Sequence, residues 1–347
     1  MKILKAYRTE EDKNNFNAYG SPSPVIKEIR KRYGLDEIIV DPDSDPAEYA
    51  KILRNYDVLI TSWHSPRVPD ELADNPGNLR FICNITGSVG GWIGEPIIAS
   101  PYIQVTNWGD AVGYGMAEGA VALLMTMLKD IPNFIAHARN ELDRPDTSER
   151  RVGTLFNAKL GIYGMGYIAR KFVEYLRPFN PDFYAFDPYV DDMPEGVKKV
   201  DTLDELFQIS QIVAVHAGLT PETTGSVTKE HLAMLPDGAI IINTARGPII
   251  DEPALIAEIM SGRIRAGLDV MDQRLNPENG DMPAIDDPVR QVSNAVFTGH
   301  HIGGNEWGRD PEALWHAELN CLANLERFKN GEPLKFVIDV DRYRKMT

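Results

Sequence analysis

The chain has 347 residues, 43% of them hydrophobic and 25% charged, a composition typical of a folded globular protein with room for about two domains. The net charge of −15 disfavours a nucleic acid or an anionic membrane as partner, because either would need a basic surface. The charged N-terminus has no signal-peptide pattern, and no apolar run reaches the roughly 18 residues of a membrane-spanning helix. We therefore expect a cytoplasmic protein whose two cysteines, Cys83 and Cys321, are buried and unreactive thiols.

Short apolar runs alternate with amphipathic stretches in the first third of the chain. This alternation predicts a parallel sheet covered by helices on both faces. The predicted strands are Met1–Tyr7, Glu37–Val40, Asp57–Thr61, Leu79–Ile85 and Tyr102–Thr106, and the predicted helices between them include Pro24–Tyr33 and Pro46–Arg54.

A long apolar helix is predicted to follow, from Gly115 to Asn140. Its length and apolarity exceed what one surface face needs, which favours burial against a neighbouring domain or a second subunit. Pro132 should kink or interrupt this helix.

The alternation restarts at Lys159 and predicts a second doubly wound sheet. The acidic, proline-rich stretch Asn276–Pro288 is typical of a long loop, and Pro311–Lys329 predicts a C-terminal amphipathic helix. The apolar runs that predict strands are KLGIYG, DFYAFD, QIVAV, GAIIIN, RAGLDV and AVFTG, and the helices include Tyr167–Leu176, Thr228–Leu235 and Glu252–Ser261.

A glycine-rich turn, GMGYIA (Gly164–Ala169), lies between the strand KLGIY and a helix. The glycines allow a tight turn and close approach of a pyrophosphate, whose charge the helix N-terminus stabilises. Asp187 ends the next strand, where an acid binds a ribose 2′-hydroxyl and repels a 2′-phosphate. The turn and the acid together predict an NAD site.

Three further stretches carry a family resemblance: HAGLTPETTG (216–225), the run from Leu235 to Val270 that contains NTARG and LDV, and HIGG (301–304). On these motifs the chain resembles the D-isomer-specific 2-hydroxyacid dehydrogenase family, with looser likeness at ITGSVGG (85–91) and VTN…AE (105–118). The resemblance implies two Rossmann-like domains. A flavodoxin-like substrate domain would comprise residues 1–105 and 305–347, with an NAD-binding Rossmann domain inserted at 106–304. It also implies an active site in the cleft between the domains and a homodimer contact through the long helix.

The resemblance assigns catalytic roles to Arg246 of NTARG and His301 of HIGG. A guanidinium fork suits the carboxylate and adjacent carbonyl of a 2-keto acid. An imidazole titrates near neutrality and can give or take a proton. The chain reads TGHHIGG, and counting back from Ile-Gly-Gly selects His301. The other histidines, His300, His216, His231 and His316, are expected to be solvated, to pack in the core or to line the cofactor site.

One expected residue is absent. The family has a glutamate, paired with the histidine, five positions after the aspartate of LDV, and that position holds Arg274 here. The nearest acids are Asp272 and Glu278. Either a loop shift brings Asp272 or Gln273 to His301, or the histidine lacks its usual partner. Asp272 is the candidate we assign to the catalytic set.

The remaining assignments follow from the resemblance alone. Ser88, Val89 and Gly90 match a loop whose N–H groups hold the substrate carboxylate. A family threonine near the nicotinamide is replaced by Gly113, and no clustered Cys/His set predicts a metal. The predicted cofactor-binding residues are Gly164, Met165, Gly166, Tyr167, Ile168, Asp187, His216, Ala217, Gly218, Thr244, Ala245, Asp269 and His301.

The sequence thus predicts an NAD-dependent oxidoreductase that acts on a small 2-hydroxy or 2-keto acid. The alternative is an NAD(H)-responsive binding protein with weak or no turnover, which the substituted glutamate position favours.

Overall fold

The computed structural model describes residues 1–15, 24–41, 43–63, 65–141, 152–275, 277–303 and 313–345. The chain separates into two compact units, one of Met1–Val112 with Trp307–Thr347 and one of Gly113–Glu306. Each unit has its own parallel sheet. The predicted α/β class with two Rossmann-like domains is therefore confirmed.

Every strand except Val197–Lys199, which no apolar run predicted, lies at a predicted run, and four of the five strands of the first unit are shorter than predicted. The strands are β1 (Ile3–Tyr7), β2 (Asp36–Ile39), β3 (Val58–Thr61), β4 (Phe81–Asn84), β5 (Gln104–Thr106), β6 (Lys159–Tyr163), β7 (Asp182–Phe186), β8 (Val197–Lys199), β9 (Ile212–Val215), β10 (Ile240–Asn243), β11 (Arg265–Leu268) and β12 (Ala295–Phe297).

The helices lie between these strands and after them. They are α1 (Glu10–Asn15), α2 (Pro24–Tyr33), α3 (Pro46–Leu53), α4 (Glu95–Ile98), α5 (Gly113–Leu128), α6 (Ile131–Ala138), α7 (Tyr167–Leu176), α8 (Leu203–Ile209), α9 (Lys229–Met234), α10 (Glu252–Met260), α11 (His316–Asn330) and α12 (Val340–Lys345).

The first unit has the strand order β2-β1-β3-β4-β5, all parallel, which is the flavodoxin-like order. Every residue of β3 and β4 is buried, as expected for strands covered on both faces. Helix α11 packs against β4 and α2, so the end of the chain belongs to this unit.

The second unit has the order β12-β11-β10-β9-β6-β7-β8. This is the dinucleotide-binding order with β6 as its first strand and one extra strand at the edge. Apolar clusters cover both faces of the sheet. One joins α5 and α7 through Leu124 and Phe172, and the other includes Phe207, Leu232 and Leu255 of α8, α9 and α10.

The predicted long helix is two helices, as the proline suggested. Helix α5 ends at Leu128, and α6 begins at Ile131 with Pro132 in its first turn. Asp130 has a φ of 51°, and the two helices are bent by 62°. The apolar face of α5 packs against α7, β10 and β11 of its own unit, so the predicted domain or subunit partner is not needed to explain its apolarity.

Among the described residues no single helix is long and apolar enough to cross a membrane, and α5 and α6 meet the length and composition criteria only as a bent pair. The predicted C-terminal helix begins at His316 rather than Pro311; the latter residue lies outside the described ranges. Both cysteines are buried free thiols, as predicted.

Candidate active site

The glycine turn, Gly164–Ala169, joins β6 to α7 and has the geometry that its sequence predicts. Gly164 has a φ of +89°, and a Cβ atom there would lie 2.6 Å from the backbone N of Ala217. Glycine is therefore the residue that this position accepts. A Cβ at Gly166 would meet nothing within 4 Å, so the side of the turn before α7 is open. Fully buried Ala169 allows close packing of helix on sheet.

Asp187, directly after β7, closes this turn. Its carboxylate accepts hydrogen bonds from the backbone N–H of Met165 at 2.8 Å and of Tyr189 at 2.9 Å. A carboxylate has about four acceptor positions, so two remain for ribose hydroxyls. The acid thus stands beside the open turn, where the sequence predicted it.

Three residues predicted to line the cofactor carry buried polar atoms without a hydrogen-bond partner among the described residues: His216 Nε2, Thr244 Oγ1 and Asp269 Oδ2. Such atoms are costly unless a ligand or water satisfies them. The residues present therefore fit a polar ligand such as a dinucleotide. Burial lowers the pKa of His216 to about 4, so its ring is neutral near pH 7.

The other predicted cofactor residues shape the backbone. The Thr223 hydroxyl donates to the Gly218 carbonyl at 2.7 Å, and the Ala245 N–H donates to Asn243 Oδ1 at 3.0 Å.

The replacement of the family threonine by Gly113 has a physical reason. A Cβ atom at position 113 would lie 2.0 Å from Cε1 of Tyr167. Any side chain at position 113 would overlap that ring unless the ring moved.

Arg246 follows β10 on a braced turn. The Asn243 amide donates to the Arg246 carbonyl at 3.0 Å, and one guanidinium N–H donates to the Ala245 carbonyl at 2.6 Å. Burial lowers the pKa of Arg246, and the charge of Asp281 opposes that shift. No ion pair joins this guanidinium to a carboxylate in the described part of the chain, so it keeps donors for an anion.

Asp269 organises the loop Thr298–Gly303, which we call the histidine loop. This residue is fully buried after β11, and its Oδ1 accepts from the N–H groups of His301 at 3.0 Å and Ile302 at 3.1 Å. Its backbone carbonyl accepts from the His300 N–H at 2.6 Å. The aspartate predicted to line the nicotinamide thus also determines the path of both histidines.

The two adjacent histidines have different surroundings. Both histidines are exposed, but His301, the predicted acid/base, is held through its backbone. His300 has a φ of 64°, and its Nδ1 lies 2.9 Å from Oδ2 of Asp281. The Asp281 carboxylate is only 10% exposed. Among the described residues, the histidine of this loop whose ring contacts a carboxylate is therefore His300.

Asp281 is the site residue that sequence reasoning missed. Its carboxylate also accepts from the Gln273 amide at 2.7 Å and from the Met271 N–H at 3.2 Å. It lies in the predicted loop Asn276–Pro288, whose first residue is outside the described ranges. That loop contains several acids, and no local pattern distinguishes the one that folds back onto the histidine loop.

Asp272 does not partner His301 in this structure. Its carboxylate forms a bidentate ion pair with Arg274, through Nε at 2.8 Å and Nη2 at 2.5 Å. This pair lowers the pKa of Asp272. Arg274, which stands at the expected glutamate position, therefore binds Asp272, the acid that we assigned to the catalytic set.

In the first unit, the predicted substrate loop is braced by two amides. Asn84 donates to the Thr86 carbonyl at 2.8 Å, and Asn107 donates to the Gly87 carbonyl at 2.9 Å. Of the three predicted residues, Val89 is buried, Ser88 is half-buried and Gly90 is exposed. The described residues contain no group of three or more His, Cys, Asp or Glu side chains that could hold a metal ion.

Residues 121–302 match the family model described as D-isomer specific 2-hydroxyacid dehydrogenase, NAD binding domain. The chain is 30% identical to the hydroxypyruvate reductase of Blautia hydrogenotrophica over 304 residues, which cover 85% of this chain and 88% of that protein. It is 32% identical to the D-3-phosphoglycerate dehydrogenase of Methanocaldococcus jannaschii over 244 residues, 69% of this chain but only 43% of that longer protein. The NAD complex of a Staphylococcus aureus NAD-dependent formate dehydrogenase superimposes with a TM-score of 0.67 and 25% identity, covering 97% of this chain and 99% of the other.

Proposed function

We propose, since this chain belongs to the D-isomer specific 2-hydroxyacid dehydrogenase family, that it transfers hydride between NAD(H) and a small 2-hydroxy or 2-keto acid. The observation that carries the proposal is the contact of Asp281 with His300, in the unit that also holds Arg246. A cation for the substrate and a histidine–carboxylate pair for proton exchange are the groups that keto-acid reduction requires.

The glycine turn and Asp187 hold the dinucleotide in this proposal. NAD(H) supplies or accepts the hydride when it is bound. The N-terminus of α7 favours the pyrophosphate, and Asp187 accepts from the ribose hydroxyls. His216, Thr244 and Asp269 offer their buried polar atoms to the remaining polar groups of the cofactor.

Arg246 binds the substrate carboxylate and polarises the neighbouring carbonyl. Its planar fork can donate two parallel hydrogen bonds, which a lysine cannot reproduce. Because the guanidinium is partly buried, its attraction for the anion is stronger than it would be in water. In the first unit, the Ser88–Gly90 loop keeps its proposed role in binding the carboxylate through backbone N–H groups.

His300 gives the proton to the new alkoxide in reduction and takes it back in oxidation. We assign the role to His300 rather than His301 because Asp281 bonds its Nδ1 atom and so orients the ring. Gln273 and the Met271 N–H hold Asp281 in place. His301 stays the competing hypothesis, and single substitutions separate the two.

The alternative function, dinucleotide binding without turnover, depended on the missing glutamate. Asp281 removes that reason, because it offers a carboxylate to the histidine loop from a different position in the chain.

We also propose that the protein is a homodimer and that it works in the cytoplasm. The exposed apolar side chains of α6, Ile131, Phe134 and Ile135, support a protein contact there.

The test is NADH oxidation against a panel of 2-keto acids that includes hydroxypyruvate. We expect turnover on at least one acid, with the reverse reaction on the matching 2-hydroxy acid. Calorimetric binding of NADH must be measured in parallel. Tight NADH binding with no turnover on any acid would overturn the enzymatic proposal and support the binding-protein alternative.

A further inference from the structure

Three chemically reactive side chains lie together inside the first unit, and none of them has a role in the proposed function. Lys5 of β1, Cys83 of β4 and Cys321 of α11 are 0%, 1% and 2% exposed. Lys5 pairs in register with Ile60, and Ile60 pairs with Cys83. The side chains of Lys5 and Cys83 therefore leave the sheet on the same face. Helix α11 packs against that face and supplies Cys321.

The two thiols are already in contact. Their Sγ atoms are 3.0 Å apart, although the residues are separated by 238 positions in the chain. A disulfide bond of about 2.05 Å would need an approach of only about 1 Å. This contact and burial raise the pKa of Cys321, and the nearby Lys5 opposes the rise. The pair is therefore a reduced dithiol whose sulfurs are poised for a bond.

Lys5 is an unusual neighbour for this apolar layer. Its ammonium group donates to Ser62 Oγ at 3.0 Å and lies 4.8 Å from the centre of the Tyr7 ring. Burial lowers the pKa of Lys5 to about 7, while the charges of Cys321 and Glu37 act in the opposite direction. Near neutral pH a large fraction of Lys5 is thus a free amine, which can accept a proton from a thiol.

We propose that Cys83 and Cys321 are a disulfide-forming site for low-molecular-weight disulfides such as oxidised glutathione, with Lys5 as its local base. Lys5 takes the proton of one thiol, and the thiolate attacks the oxidant, breaking its S–S bond and releasing one glutathione thiolate, which takes that proton from Lys5. Lys5 then takes the proton of the second cysteine, whose thiolate attacks the mixed disulfide. The second glutathione leaves as a thiolate and takes this second proton. Two cysteines are oxidised and one oxidised glutathione is reduced to two thiols.

A disulfide bond between Cys83 and Cys321 would join β4 to α11 and close a loop of 238 positions. Cross-links that close long loops restrict the unfolded chain most, so oxidation should stabilise the first unit. Because both sulfurs are buried, the oxidant reaches them only when α11 opens locally, and reaction is slower than with an exposed thiol.

The chain contains only two cysteines, which makes the experiment unambiguous. The full-length protein is incubated with oxidised glutathione, unfolded, and its remaining thiols are counted. We expect the loss of both thiols, a monomer lighter by two hydrogen atoms with no retained glutathione, and an unfolding midpoint raised by roughly 5 °C or more that reductant reverses. Cys83→Ser and Cys321→Ser should each keep a thiol or a glutathione adduct and show no rise.

Lys5→Met tests the base, with exposed Lys2→Met as the matched control. We expect Lys5→Met to slow oxidation by about tenfold and to change its pH dependence, and Lys2→Met to leave both unchanged. Glu37, Glu318 and Tyr7 are titratable groups that face this cluster, and all three are present in all variants. Equal oxidation rates for the two lysine variants would reject the role of Lys5.

If the native protein keeps both thiols while its urea-unfolded chain reacts with oxidised glutathione, the disulfide-forming site itself is rejected. Neither readout uses NADH turnover, so the result is independent of the proposed function.

Discussion

Two carboxylates of the second unit are held in different ways. Asp187, at the glycine turn, accepts from the backbone N–H groups of Met165 and Tyr189. Asp281, beside the histidine loop, accepts from the side chains of Gln273 and His300 as well as from a backbone N–H. A carboxylate bonded to backbone depends on the local chain path, whereas one bonded to side chains depends on each partner. We therefore expect the glycine turn to control which dinucleotide binds, and the histidine loop with Arg246 to control the chemistry.

The largest expected effect separates substrate chemistry from dinucleotide binding. Arg246→Ala should lower kcat/KM for the keto acid by on the order of 10³-fold, because the substrate loses its cation, while the Kd of NADH stays near its original value. Arg246→Lys should recover only part of the loss. Steady-state kinetics and calorimetry measure the two quantities. A lysine variant as active as the unchanged protein would show that the fork geometry is irrelevant.

The next effect distinguishes the two neighbouring histidines. His300→Asn should lower kcat by about 10²-fold or more, because the proton donor is lost, and His301→Asn should change it by only a few-fold. The midpoint of thermal unfolding serves as the control for folding in both variants. The reverse ranking would return the acid/base role to His301, as the HIGG motif suggested.

The glycine turn should act on cofactor choice alone. The Asp187 carboxylate repels a 2′-phosphate and binds free ribose hydroxyls, so kcat/KM should favour NADH over NADPH by on the order of 10²-fold. Asp187→Asn should narrow that ratio without changing the preference among keto acids. Equal efficiency of the unchanged protein with NADH and NADPH would contradict this role.

Behind the glycine turn, His216 should make the stability of the fold depend on pH. Its folded pKa of about 4 is below the ordinary value of 6.5, so its contribution is present above pH 6.5 and is lost as the pH falls towards 4. The loss is at most about 3 kcal/mol of unfolding free energy. Urea unfolding at several pH values should show a smaller loss for His216→Gln than for the unchanged protein.

The smallest expected effect concerns Asp281. Asp281→Asn replaces the charged acceptor of the His300 ring with a neutral amide, which holds the ring less firmly, so kcat for reduction should fall by about tenfold. Asp272→Asn and Arg274→Glu should leave kcat almost unchanged, because these two residues are bonded to each other. Steady-state kinetics of the three variants measure the difference. If Asp272→Asn lowers kcat and Asp281→Asn does not, the original assignment of Asp272 is the better one.

Much of the fold could be predicted from local patterns. Apolar runs predicted every strand that lies in the interior of the two sheets, because a buried parallel strand needs a continuous apolar stretch. The break before Pro132 followed from the geometry of proline, and the turn at Gly164 followed from its need for a positive φ. The short helix α12 was missed, since its six residues carry no clear apolar period.

The amino-acid sequence by itself determined the two α/β units, the glycine turn with Asp187 and the position of Arg246 after its strand, because each depends on residues close together in the chain. Only the tertiary structure decided which acid meets which histidine. Asp281 lies 19 positions before His300, and Asp272 is bonded to Arg274 two positions away. The contact of Cys83 with Cys321, which are 238 positions apart, could not be predicted from the sequence either. The physical reason is the same in both cases: side-chain chemistry acts over a few ångströms, and the distance between two side chains is set by how the strands and loops pack rather than by their separation along the chain.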